Sequence, residues 1–201
     1  MFNGRLREAA PLVAQIRRLW PNHQFAPGAI LAQARAELAR GGSPAKAAAA
    51  AREVLAWTEA ADLSAPAVAR LTERTAELAA RADDRITIAA ARRLLERRDA
   101  GRHLPSYHLA LLTVDAAAAF ARGDMLTAAA FAEAARQGMF HGRSLAHIAL
   151  LEADARAALG QRDAANDLYR RLLTPDEFAG GHLEAWPLFE QEAAARLARA
   201  R

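Results

Sequence analysis

Cysteine is absent from the 201 residues. That absence excludes a disulfide framework, Cys-ligated zinc, a thiol nucleophile and CxxC redox chemistry. Lysine is almost missing as well: Lys46 stands alone, so the positive charge behind the net +4 is arginine. Aromatics make up only 6% of the chain, and Val, Ile, Thr and Tyr are scarce, which removes the usual material of a β-sheet core. No apolar run reaches bilayer-spanning length without a charge. The opening MFNGRLREAAPLV sets Arg5, Arg7 and Glu8 where a secretion signal needs an apolar core. The expectation is a cytoplasmic protein without membrane contact.

What is present is alanine. Apolar residues reach 53% and charged residues 25%, a globular balance, and alanine supplies most of the apolar share. Alanine has the highest helix propensity and lets helices approach closely, so the composition predicts an all-α chain with thin side-chain layers. Arginine is interleaved with acid along every segment. Glu152/Arg156, Asp167/Arg171 and Glu192/Arg196 have the i,i+4 spacing that supports a solvated, salt-bridged helix face rather than a nucleic-acid footprint.

Glycine, proline and capping residues divide the chain. An N-terminal helix over 1–21 carries Leu6, Val13 and Ile16 on one face and stops at Pro21. Helix hairpins are predicted over 26–61, 64–101, 105–138 and 144–175, and a capping helix over 182–201. Ser43-Pro44 and Ser64 with Pro66 are start signals, and Asp83 or Asp84 caps the helix that follows. Taking Gly42, Ala82, Gly123 and Gly160 as equivalent turns gives intervals of about 40 residues, the spacing of stacked helical hairpins. The first segment then reads as an orphan helix with one apolar flank uncovered. A homodimer through Leu6, Val13 and Ile16 is one way to cover it, and a longer array is the other.

Two of these units share a finer pattern. Leu112, Ala116, Gly123, Ala128, Phe131 and Ala135 in one, and Ala149, Ala153, Gly160, Ala165, Tyr169, Leu172 and Pro175 in the other, fill matching places, with Phe131 one residue early. In this respect residues 107–175 resemble tetratricopeptide repeats, although the Trp and paired Tyr of that family's first helix are absent. The resemblance implies an α-α superhelix, a right-handed solenoid of antiparallel helix hairpins with a C-terminal capping helix. It further implies a groove lined by the first helix of each hairpin, where a protein or peptide partner binds. Arg35, Thr72, Thr113, Phe120, His147, Leu150 and Asp154 are the groove-facing residues on that basis. The expected function is a non-catalytic scaffold, a regulatory or assembly module of a bacterial protein.

Other chemistry finds little footing. None of the six histidines forms HExxH or an i,i+4 pair, so no metal site is expected, and no cofactor motif or catalytic set appears. Asp115, within an apolar helix, calls for a partner such as Arg92 or Arg93. The loops over 101–108 and 138–143 carry His, Arg and aromatic residues, either a recognition edge or, for Tyr107 and Phe140, packing at the joints. The alternative function is nucleic-acid regulation through a helix–turn–helix-like segment over 56–71 and Arg-rich surfaces.

Overall fold

Four times along the chain a helix ends in the same bonding pattern. Gly41, Asp83, Gly123 and Gly160 adopt left-handed backbone, with φ of 84°, 54°, 79° and 76°. Each donates its N–H to the carbonyl three residues back, on Leu38, Ala80, Phe120 and Ala157, and the following residue donates five residues back, to Glu37, Ala79, Ala119 and Arg156. This pair of bonds is the Schellman cap, which satisfies the last carbonyls of one helix while reversing the chain for the next. The turn positions are therefore Gly41 and Asp83, each one residue away from the expected Gly42 and Ala82. Aspartate serves at the second turn because its short polar side chain tolerates left-handed backbone better than most.

The computed structural model describes residues 11, 12, 14, 15, 18, 19, 25–138, 146–174 and 186–199. Among the described residues no strand occurs, and nine helices are bounded: α1 Phe25–Ala39, α2 Pro44–Ala60, α3 Ala65–Arg81, α4 Arg85–Asp99, α5 Pro105–Ala121, α6 Met125–Gln137, α7 Ala146–Ala158, α8 Arg162–Arg171 and α9 Trp186–Arg199. None is long and apolar enough to cross a membrane. After two of the four turns the next helix starts on an Asp-x-x-Thr cap. Asp84 accepts from the Thr87 amide and Asp124 from the Thr127 amide, both at 3.2 Å. Ser43 and Ser64 do stand at N-caps followed closely by proline, but neither side chain makes a capping bond.

Packing follows chain order. Each of α1 to α8 that directly succeeds another lies against it, and the first helices of successive hairpins also touch: α1 on α3, α3 on α5, α5 on α7, with α3 reaching α7 as well. Helix α9 lies on α8 and α7. Alanine makes these contacts close. Ala116, Ala132 and Ala135 have no exposed surface and pack with Ile148 and Leu151, while Ala119, Ala128 and Ala155 form a second layer without exposure. Tyr107 is buried in the joint between hairpins, whereas Phe140 lies outside the described residues. Leu6, Val13 and Ile16, named for a dimer interface, also fall outside them.

Candidate functional site

The side on which α1, α3 and α7 meet is polar, and α9 lies against it. From α1 comes Arg35; from α3, Glu77 and Arg81 one turn apart; from α7, Asp154; from α9, Glu192 and Arg196 one turn apart. Their side chains close a ring of alternating charge. Arg35 pairs with Glu77, and Glu77 with Arg81. Arg81 reaches Asp154 at 2.8 Å, Asp154 receives Arg196 at 2.5 Å, Arg196 approaches Glu192 at 3.5 Å, and Glu192 returns to Arg35 at 2.9 Å. Three guanidinium groups face three carboxylates, so the ring is neutral as a whole.

Burial makes that balance necessary. The side chains of Arg35, Glu77 and Glu192 are between 3% and 6% exposed, and those of Arg81 and Asp154 are 12% exposed. A lone charge at such depth costs several kcal/mol, about the amount lost when one partner of a buried pair is removed. Here every charge has two opposite neighbours. Burial pushes the Glu77 carboxyl up, but Arg35 and Arg81 outweigh it and hold the group at about 2, down from an ordinary 4.5. Asp154 is lowered in the same way: burial raises it, and Arg81 and Arg196 more than compensate. Tyr169 of α8 donates its hydroxyl to Asp154 Oδ1 at 2.7 Å, and burial together with that carboxylate pushes its phenol well above the usual range.

Aromatic faces complete the wall. The Arg35 guanidinium lies 4.9 Å from the centre of the Phe189 ring, and Arg81 lies 5.9 Å from that of Phe120. Beside Arg35 a cleft lined by Gly28, Leu31, His147, Leu188 and Phe189, among others, encloses about 30 Å³, room for one or two waters. His147 is buried on α7, with Nε2 3.7 Å from the buried Glu73 carboxylate of α3. No grouping of His and acid with metal-holding geometry occurs among the described residues.

The residues named from sequence divide into two sets. Arg35, Phe120, His147 and Asp154 come together at the ring and its edge. Thr72, Thr113 and Leu150 have no exposed surface. Thr113 spends its hydroxyl on the Leu109 carbonyl at 3.1 Å, and Leu150 packs with α8 and α9 in the last hydrophobic layer. Four of the six ring residues, Glu77, Arg81, Glu192 and Arg196, were not among those expected to face the groove, nor was Tyr169 beside them. In Glu192/Arg196 and Glu152/Arg156, expected on solvated faces, the acid is buried and the arginine partly so, because another helix brings arginine or acid against them. Glu152 is 1% exposed between Arg136 of α6 at 2.8 Å and Arg156 at 2.8 Å. Asp115 pairs with Arg92 at 2.9 Å and is about a quarter exposed.

Comparison with protein-family models, with curated proteins and with solved structures finds no match to this chain.

Proposed function

We propose that this protein is a non-catalytic scaffold of tetratricopeptide-like build, which binds a protein segment on the wall formed by the first helices of its hairpins. One observation carries the reading. That wall already holds a helix, α9, through side chains alone: two guanidinium–carboxylate forks and an aromatic ring under an arginine. Such forks are directional and helix-length, which suits recognition of a segment better than chemistry on a small molecule. The cleft beside them, at about 30 Å³, is also far below the roughly 300–1,000 Å³ of small-molecule sites.

DNA reading through 56–71 has weaker support. The helix that would enter a groove is α3, and its residues Ala67–Ala69, Leu71–Glu73 and Thr75–Ala80 are buried. A photo-reactive residue installed at Ala32, on the cleft, and in a second protein at Ile86, 79% exposed, tests the reading in lysate of the source cells. Protein adducts formed from Ala32 and not from Ile86 support it. Adducts confined to Ile86, or retention of nucleic acid alone, count against it.

A further inference from the structure

We infer that the partner of this wall is an amphipathic helix carrying the pattern that α9 presents, Leu-Phe-x-x-Glu-Ala-x-x-Arg, and that α9 is its competitor within the same chain. The inference rests on the scaffold reading above and names the chemistry of the partner.

The pattern follows from what α9 places on the wall. Phe189, Glu192, Ala193 and Arg196 stand at i, i+3, i+4 and i+7, a single helical face. Each has a definite receiver. Phe189 lies under Arg35 at 4.9 Å, and Glu192 accepts from both Nε and Nη2 of Arg35, at 2.9 and 3.3 Å. Ala193, without exposed surface, packs in the last hydrophobic layer. Arg196 donates to both oxygens of Asp154, at 2.5 and 3.1 Å. Leu188 lines the cleft. Without α9 the wall would keep one unmatched half on each side: Arg35 would have Glu77 alone, and Asp154 would have Arg81 alone. A partner segment must therefore bring an acid and, one turn later, a base, in that order; the reverse order would set like charges against each other.

Competition within the chain sets how tightly such a partner is seen. A tethered helix acts at a high effective concentration, so a free helix of the same sequence binds the intact chain weakly until the tethered one is loosened. Neither the ring nor the apolar layer needs α9 to belong to this chain rather than another.

The probe is a labelled synthetic peptide of residues 183–201, titrated into the full chain. Hydrogen exchange is followed at residues 186–199 of the protein, and binding is followed by anisotropy. In the wild type, saturating peptide should raise exchange in α9 while leaving α3 protected. In a chain carrying Glu192→Gln, binding should tighten at least about tenfold, the effect of losing one charged hydrogen-bond pair in the tethered competitor. A peptide carrying Glu192→Arg should lose binding to both chains. Because Glu192→Gln perturbs a buried pair, its circular dichroism is compared with wild type, and Arg196→Gln serves as a second loosening variant with the same expectation. Peptide that binds without exposing α9, or fails to bind any of the three chains, overturns the inference. A doubled mass by light scattering that saturating peptide returns to the single mass assigns the wall to a second copy and overturns it too. If the Ala32 adducts appear while the peptide fails, the scaffold reading stands and only this partner chemistry falls.

Discussion

Replacing Arg35 with methionine keeps most of its volume and removes one of the six charges in the ring. Glu192 then loses two hydrogen bonds and retains only Arg196, at 3.5 Å, while Glu77 keeps Arg81. Breaking a buried pair costs roughly 3–5 kcal/mol, and the surviving neighbours put this case at the lower end, about 3 kcal/mol. For a chain of this length that corresponds to a fall in Tm of roughly 6–12 °C. Glu192→Met should cost a similar amount, leaving Arg35 with Glu77 alone and Arg196 with Asp154 alone. The double variant removes one cation and one anion that face each other, leaving Glu77 with Arg81 and Asp154 with Arg196. Its cost should be smaller than the sum of the singles by about 2 kcal/mol or more. Urea denaturation of the four proteins, followed by circular dichroism, gives the cycle directly. If Arg35→Met lies within about 0.5 kcal/mol of wild type, or the two substitutions are additive to within about 0.5 kcal/mol, the ring does not link α1 to α9 and the argument from it fails.

Acid should loosen the same clasp. The Glu77 pKa is depressed in the folded state, so its contribution is fully present above about pH 4.5 and is lost as pH falls toward about 2. The loss is on the order of 3 kcal/mol, and urea midpoints of wild type and Glu77→Gln should converge across that window. At the hairpin turns, Gly123→Ala should destabilise by about 1–2 kcal/mol from backbone strain, since no atom crowds the added Cβ, while Asp83→Gly should stabilise by up to about 1 kcal/mol; thermal melts of both decide it. Ala116→Leu should cost about 1–3 kcal/mol by overpacking the α5–α6 contact, and a melt unchanged by that substitution would show the alanine layers to be loosely filled.

What could be read from the chain before the structure was what is decided locally. A Schellman cap closes within six residues and an Asp-x-x-Thr cap within four, so the punctuation of the helices carries its own physics. Helices α3, Ala65–Arg81, and α6, Met125–Gln137, fall within the hairpins expected over 64–101 and 105–138, and each begins or ends within one residue of the expected limit. The misplacement at Ala82 has the same origin: the expectation took the small residue, whereas the backbone needed one that tolerates positive φ, which Asp83 does.

The ring was not legible because the environment of a charge is set by what faces it, and the facing residue lies far along the chain. Arg35 and Glu192 are 157 positions apart. At i,i+4 spacing, Glu192/Arg196 on a buried face reads the same as a solvated pair, and only the arrival of Arg35 and Asp154 separates the two cases. One signal was nonetheless present. In α3, Glu73, Glu77 and Arg81 fall on one line of the helix, and the residues on the remaining faces are mostly alanine, threonine, valine or leucine. A helix with small or apolar residues on its other faces has little left to turn toward water, so its ion ladder is drawn into the interior with them. Buried ladders must find opposite charge on another helix. The other charged i,i+4 pairs of the chain were then the places to look for it, and Glu192/Arg196 on α9 is the pair that supplies it.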